Sequence, residues 1–157
     1  MGKEIEKKFL ITGDDWRELA EGIPYRQGYL STVKERTVRV RSIGTTGYLT
    51  IKGLAVGATR LEYEYEISVS DSNEMLDVLC EKPIIEKNRY KVEFAGLIWE
   101  IDEFFGENEG LVYAEVELTS EDQEIKKPDW IGNEVTDDPK FFNSNLIAFP
   151  YSKWKNK

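Results

Sequence analysis

Glu4-Ile5-Glu6-Lys7-Lys8-Phe9-Leu10-Ile11 places ionisable residues two positions apart at the start of the chain. Side chains of a strand alternate between two faces, so this spacing predicts a strand with Glu4, Glu6 and Lys8 on one face. A period of two recurs at 37–42, 48–52, 61–68, 85–94, 98–103 and 113–119, and 24–32 is a further aromatic-rich candidate strand. Short glycine-containing turns join most of these segments. The pattern is typical of an antiparallel meander or barrel of about eight strands.

Helical signals are few. The segments 12–22, 71–82, 120–126 and 138–148 each begin near a residue that can cap a helix, and the last has Pro139 directly after Asp138. No linker, repeat or low-complexity segment divides the chain. We therefore expect a mainly β (α+β) fold in a single domain over residues 1–157.

Composition excludes several classes of function. Acidic residues outnumber basic ones 30 to 21, which argues against a general nucleic-acid or anionic-membrane binder. The chain has no histidine and one cysteine, Cys80, so histidine-dependent hydrolases and His/Cys zinc sites are excluded. No apolar run reaches the roughly 20 residues of a membrane span. A charged strand follows the N-terminus directly, so we expect no signal peptide and a cytoplasmic location.

The polar face of the predicted sheet is almost entirely ionisable, and its charges are sorted by strand. An ordinary half-exposed sheet carries a mixture of small polar and charged residues there. Two architectures fit the pattern. The apolar face can form a core with the charges in water, or the sheet can close around the charges with helices packed on its apolar outside. In the first architecture the charges lie in water, where most charged residues of proteins are found. It leaves like charges side by side on single strands, however, and such neighbours lower stability.

The residue types indicate the chemistry of an interior lined in this way. Carboxylates without histidine or thiol are hard oxygen ligands, suited to Mg²⁺ or Mn²⁺. Several Arg and Lys side chains that face the same space suit phosphate oxygens. Metal ligands and phosphate-binding cations are together the requirements of phosphoryl transfer, although neither a P-loop nor a kinase motif set is present.

Paired motifs follow Glu4-x-Glu6-x-Lys8 along the chain. In order, they are Arg39-x-Arg41, Thr50-x-Lys52, Glu62-x-Glu64, Lys87-x-Arg89, Asp102 and Glu115-x-Glu117. This ordered set resembles the motifs of the CYTH superfamily, the triphosphate tunnel metalloenzymes, and it is far more specific than the N-terminal signature alone. The resemblance implies a closed eight-stranded antiparallel barrel, with the triphosphate bound in its tunnel.

The resemblance also implies roles for these residues. The expected phosphate-binding residues are Lys8, Arg39, Arg41, Lys52, Lys87 and Arg89. The expected metal ligands are Glu4, Glu6, Glu62, Glu64, Asp102, Glu115 and Glu117. We expect catalytic roles for Lys8 and for the carboxylates of Glu62, Glu64, Glu115 and Glu117, without choosing which one activates water.

The function expected from this set is metal-dependent hydrolysis of inorganic triphosphate, with nucleoside triphosphates as candidate additional substrates. Family members that cyclise ATP or hydrolyse thiamine triphosphate are the alternatives, and the short chain without an obvious purine-pocket insertion favours the hydrolase. A non-catalytic polyphosphate- or nucleotide-binding module is a third reading, which the paired carboxylates argue against. The expected partner is a small-molecule triphosphate, with neither nucleic acid nor membrane, and the sequence leaves a homodimer open.

Overall fold

The computed structural model describes residues 2–155, so Met1, Asn156 and Lys157 of the predicted domain lie outside it. Nine strands form one antiparallel sheet. Their bounds are Lys3–Ile11 (β1), Ile23–Ser31 (β2), Arg36–Ile43 (β3), Thr46–Gly53 (β4), Thr59–Ser68 (β5), Ile85–Phe94 (β6), Leu97–Phe104 (β7), Val112–Glu117 (β8) and Ile131–Glu134 (β9).

Eight of these strands close into a barrel, in the order β5-β4-β3-β2-β6-β7-β8-β1. Closure comes from β1, which pairs with β5 through its first residues (Lys3 opposite Leu61) and with β8 through later ones (Lys8 opposite Glu115). The predicted eight-stranded antiparallel barrel is confirmed. The ninth strand pairs with the end of β1 (Phe9 opposite Glu134). The sequence analysis missed it because four residues around Gly132 carry no alternation.

Apolar side chains on the outside of β1, β6, β7 and β8 form the main core. Trp99 lies at its centre with no exposed surface and packs edge-on against Phe9 and Trp130, at ring-centroid distances of 5.5 and 6.3 Å. Trp16 and Trp130 come from the connecting segments and cover this face. The charged faces of β1 and of β3 to β8 are thereby turned inward, as in the second of the two architectures considered above.

Aromatic packing fills one end of the barrel. Tyr113 and Phe104 face inward there and stack at 5.5 Å, and the Tyr113 hydroxyl donates a hydrogen bond of 3.0 Å to the backbone oxygen of Phe141. Tyr29 and Leu146 belong to the same buried cluster. The C-terminal segment is therefore held against this end of the barrel.

The helix predicted over 71–82 begins and ends earlier than expected. Helix α1 spans Val69–Glu74, because Ser68 is the residue that caps it, accepting a hydrogen bond of 3.0 Å from the backbone N–H of Asp71. A π-helical turn at Met75–Leu79 follows, and the chain becomes extended at Cys80, ahead of Pro83. Among residues 2–155, no helix is long and apolar enough to cross a membrane.

The predictions of helices over 12–22 and 120–126 are wrong. The first segment contains only a 3₁₀ turn, Asp15–Glu18, held by burial of Trp16 and by its indole N–H, which donates to the Gly13 oxygen. The second contains no helix, because its side chains bond elsewhere. The Gln123 side chain accepts hydrogen bonds from Thr119, and the Glu121 carboxylate accepts one from the backbone N–H of Ala58, at the end of the β4–β5 loop.

The helix predicted over 138–148 is replaced by two 3₁₀ turns, Pro139–Phe141 and Asn143–Leu146. The predicted cap is correct, since Asp138 accepts a hydrogen bond of 3.1 Å from the backbone N–H of Lys140. Phe142 interrupts the helix with an extended backbone (φ −77°, ψ 123°). Two further 3₁₀ turns lie at Gly106–Asn108 and Tyr151–Lys153.

Replacing Trp99 with alanine should destabilise the fold by about 3–5 kcal/mol, because it leaves a large cavity in the main core. Urea unfolding followed by circular dichroism measures the change in unfolding free energy. Val78→Ala is the control, since Val78 is 71% exposed and its truncation should cost about 0.5 kcal/mol or less. Equal losses for the two variants would contradict the placement of the core on the outside of the barrel.

Candidate active site

The barrel encloses a polar cavity of about 140 Å³. Seven carboxylates and six cationic side chains line it, and all but one of the predicted site residues are among them. The exception is Asp102, which lies behind the cavity wall. The charged lining residues are Glu4, Glu6, Glu62, Glu64, Glu100, Glu115, Glu117, Lys8, Arg39, Arg41, Lys52, Lys87 and Arg89.

Strand register explains why these charges are tolerated inside the protein. The pairing of β4 with β5 sets Lys52 opposite Glu62, and that of β6 with β7 sets Arg89 opposite Asp102. Residues directly opposite on neighbouring strands have side chains in contact range. Several cations are thus placed beside carboxylates of a neighbouring strand, although the same register also sets Glu6 opposite Glu117 and Glu100 opposite Glu115.

Asp102 is fully buried and holds two of the cations. It bonds to Arg89 through both carboxylate oxygens, at 2.8 and 2.9 Å, and to the Lys87 ammonium at 2.8 Å. Burial alone would raise the pKa of Asp102, but Arg89 and Lys87 outweigh it and hold the pKa below its ordinary value. Burial lowers the pKa of Lys87 to about 7, with Asp102 acting in the opposite direction.

Two further ion-pair groups connect β1 to its neighbours. The Lys8 ammonium lies 3.1 Å from Glu6 and 3.3 Å from Glu115. Burial opposes the charge on Lys8, yet these carboxylates raise its pKa above the ordinary value. The Lys52 ammonium lies 3.2 Å from Glu4 and 3.1 Å from Glu62. Both groups therefore join β1, the strand that closes the barrel, to other strands.

Arg39 and Arg41 are the cations least satisfied by the protein. The Arg39 guanidinium reaches Thr50 at 3.2 Å and Glu64 at 3.5 Å, while its buried Nε has no hydrogen-bond partner among the described residues. Within the same residues, the hydrogen bonds of the Arg41 side chain go to the neutral Gln27 oxygen, at 3.0 and 2.8 Å. Burial and then the positive charges of Arg39 and Arg89 lower the pKa of Arg41 to about 10. Both side chains are poised for an anion that the protein itself does not supply.

Glu117 is the corresponding unbalanced carboxylate. No ion pair to it occurs within residues 2–155, although six cations line the same cavity. Burial, followed by the negative charges of Glu4, Glu62 and Glu6, raises the pKa of Glu117. Repulsion among carboxylates of this kind is relieved by a proton or by a metal ion.

The donor set fits a hard divalent cation. Glu4, Glu6, Glu62 and Glu117 supply only oxygen ligands, as Mg²⁺ and Mn²⁺ prefer. Within the described residues, however, no three acidic side chains are grouped closely enough to hold a metal ion unaided. Their present partners explain this, because Lys8 and Lys52 lie between the carboxylates. If Lys8 and Lys52 paired with another anion, these carboxylates would be free to form a metal site.

Asn143 and Gln27 take part in the hydrogen bonds of the site without belonging to any of the charged motifs. The Asn143 side-chain oxygen accepts hydrogen bonds from Gln27 at 2.7 Å and from Lys87 at 2.9 Å, and its amide donates to the Tyr113 hydroxyl. Gln27 is fully buried and joins this group to Arg41. Asn143 comes from the C-terminal segment rather than from a strand, so no two-residue period could have indicated it.

Comparison with known proteins identifies the family. The sequence model of the CYTH domain matches residues 2–142. The chain belongs to the CYTH domain family. The match ends one residue before Asn143, which hydrogen-bonds to Lys87, so Asn143 lies just outside the matched segment.

Two curated relatives and a solved structure are similar to this CYTH protein. It is 59% identical to the inorganic triphosphatase of Acetivibrio thermocellus over 155 residues, which cover 99% of each chain. It is 40% identical to the inorganic triphosphatase of Nitrosomonas europaea, over 91% of this chain and 95% of that one. The crystal structure of the inorganic triphosphatase NE1496 superimposes with a TM-score of 0.66 and 36% identity, covering 94% and 95% of the two chains.

Substitutions at Asp102 and at Glu117 should change the stability of the fold differently. Asp102→Asn leaves Lys87 and Arg89 buried without a counter-charge and should cost about 3–5 kcal/mol. Glu117→Gln removes a repelled charge and should leave stability equal or higher at neutral pH. Chemical denaturation of each variant measures the difference.

The pH dependence provides a second readout. A raised folded-state pKa means that folded Glu117 binds a proton more tightly than in the unfolded chain, so its repulsion is relieved as the pH falls through that value. The stability advantage of Glu117→Gln over the wild type should therefore shrink as the pH is lowered. Equal losses for both variants at neutral pH would contradict the assignment of Asp102 as the holder of the buried cations.

Proposed function

We propose that this protein is an inorganic triphosphatase that depends on Mg²⁺ or Mn²⁺. The observation that carries the proposal is the buried Arg39 Nε without a partner, beside Arg41 without a carboxylate, in a cavity that also holds the unbalanced Glu117. An anion of several charges would satisfy the two arginines. The names of the two curated relatives support the same substrate.

Charge balance explains why such an enzyme would need a cation. The cavity lining carries seven carboxylates against six cations, so it offers little net attraction to a highly charged anion. Glu4, Glu6 and Glu62 are the residues that would hold the metal. When bound, a divalent ion there offsets phosphate charge, polarises phosphoryl oxygens and lowers the pKa of a ligated water.

The chain's own residues bind and orient the substrate. Arg39 and Arg41 would take non-bridging phosphate oxygens, and Arg can do so through two parallel hydrogen bonds. Lys8, Lys52, Lys87 and Arg89 would neutralise the remaining charge and the charge that develops on the departing pyrophosphate. Asp102 we assign to holding Lys87 and Arg89 in place rather than to the metal, because both of its oxygens already accept hydrogen bonds from them.

Glu117 is the carboxylate we favour for accepting the proton of the attacking water. Its raised pKa brings it closer to the operating range of a general base than its paired neighbours. The water oxygen forms a bond to the terminal phosphorus as the bond to pyrophosphate breaks, and the proton goes to a Glu117 carboxylate oxygen. Glu64 and Glu115 would orient the arginines with which they pair.

Three points remain predictions from the sequence: a cytoplasmic location, the absence of nucleic-acid or membrane partners, and the option of a homodimer. Cyclisation of ATP and hydrolysis of thiamine triphosphate gain no support from the relatives that share 36–59% identity with the chain.

Phosphate release from tripolyphosphate with Mg²⁺ or Mn²⁺ tests the proposal directly. Glu4→Gln and Glu6→Gln should each reduce it more than about 100-fold, because loss of residues that only orient a metal ligand already costs 10–100-fold. Glu86→Gln is the matched control, since Glu86 is exposed on the same barrel and does not line the cavity.

A wild-type protein that releases no phosphate from tripolyphosphate with either metal would overturn the proposed function. Near-normal rates in both β1 variants would instead overturn the metal assignment. Thermal unfolding of each variant guards against misreading a folding defect as a loss of activity.

A further inference from the structure

Tyr25 is a buried aromatic residue that lies outside the apolar cores of the protein. It is only 6% exposed, yet the three hydrophobic clusters found among residues 2–155 do not include it. Tyr25 belongs to β2, where the strand register sets it opposite Lys87 of β6. Side chains two positions apart share a face, so Tyr25 points inward together with Gln27. The ring is therefore buried among the charged side chains of the barrel.

Two guanidinium groups lie over this ring. The guanidinium carbon of Arg41, from β3, is 4.9 Å from the ring centroid, and that of Arg89, from β6, is 5.0 Å from it. Strand β2 lies between β3 and β6, so each arginine reaches Tyr25 from a neighbouring strand. The face of an aromatic ring attracts a cation over distances of up to about 6 Å. Tyr25 thus contacts two of the cations that line the polar cavity.

Arg41 depends on this contact more than Arg89 does. Arg89 forms ion pairs with three carboxylates. The residues opposite Arg41 on its two neighbouring strands are Gln27 and Tyr48, and neither carries a negative charge. Burial, followed by the positive charges of Arg39 and Arg89, lowers the pKa of Arg41. The face of the aromatic ring offers Arg41 the negative potential that the residues opposite it do not supply.

A ring stabilises an arginine without occupying the groups that bind an anion. The five N–H groups of a guanidinium lie in one plane, and the face of a ring attracts the charge without accepting through lone pairs. A carboxylate would accept hydrogen bonds from the same N–H groups that a phosphate oxygen needs. In Arg41, the Gln27 oxygen accepts from Nε at 3.0 Å and from one terminal nitrogen at 2.8 Å. The other terminal nitrogen can donate to an anion while the ring offsets the charge.

We propose that Tyr25 is a positioning residue of the anion site, whose ring holds Arg41 and Arg89 at the cavity wall. Tyr25 does not line the cavity, whereas both arginines do, so it acts on a bound anion through them. The inference rests on the proposed function, since it takes the anion on Arg41 to be a triphosphate. An arginine held in place before the anion arrives loses less freedom on binding, so the ring strengthens binding.

Fluorination of the ring separates this role from simple packing. Fluorine withdraws electron density from the face of a ring while its shape changes little, so its attraction for a cation falls. The series consists of Tyr25→Phe and of phenylalanines with one, two and five ring fluorines in place of Tyr25. The dissociation constant of a non-hydrolysable imido analogue of tripolyphosphate, measured by titration calorimetry with Mg²⁺, should rise stepwise along the series. The total rise should be at least about 5-fold.

Kinetic constants for tripolyphosphate provide a second readout. Tyr25→Leu removes the ring and should raise KM at least about 5-fold while it changes kcat less than about 2-fold, because the ring contributes to binding of substrate and transition state alike. The conservative Tyr25→Phe keeps the ring and should retain a KM near the wild-type value. A ring that only fills space would lower the melting temperature in Tyr25→Leu and leave the dissociation constant unchanged.

Tyr90 provides the control, since it follows Arg89 on β6 but packs outside the barrel, edge-on against Trp16 at 5.0 Å. Pentafluorophenylalanine in place of Tyr90 should leave the dissociation constant at the wild-type value. A dissociation constant that stays level across the series at position 25 would overturn the inference, and so would an equal rise from the substitution at position 90. Failure of the proposed function is a separate result, visible as absence of phosphate release from tripolyphosphate in the wild type.

Discussion

Ion pairs between neighbouring strands are the interaction on which the rest of this structure depends. Each buried ion costs several kcal/mol to remove from water unless a partner of opposite charge repays it. The register of the barrel supplies those partners, as where Arg89 meets Asp102 across β6 and β7 and Lys52 meets Glu62 across β4 and β5. The apolar residues are then free to form a core on the outside of the barrel, around Trp99.

The same pairing prepares the site for its substrate. The cations near β1 are occupied by carboxylates, and within residues 2–155 the carboxylates do not form a metal site unaided. An anion that attracts Lys8 and Lys52 would release Glu6, Glu4 and Glu62 for a metal ion. Binding of triphosphate and binding of the metal would therefore be coupled, and by linkage each would strengthen the other equally.

Much of this arrangement was predictable from the sequence, because a two-residue period assigns each side chain to a face. That reasoning found the eight strands of the barrel and every charged lining residue except Glu100. It failed where local structure depends on tertiary contacts. The 12–22 segment is fixed by burial of Trp16, and the 138–148 segment is broken at Phe142 so that Asn143 can reach Lys87. The ion pairs of Asp102 could not be predicted either, because the two-residue period shows which face of the strand Asp102 lies on but not which side chains it contacts.

Equilibrium dialysis of Mn²⁺ tests the coupling between anion and metal most directly. The protein would be dialysed alone and with a non-hydrolysable imido analogue of tripolyphosphate, at the same free Mn²⁺ concentration. The account predicts that the protein retains Mn²⁺ in near-stoichiometric amount only with the analogue, since the anion must first draw Lys8 and Lys52 from the carboxylates. Equal retention of Mn²⁺ with and without the analogue would contradict it.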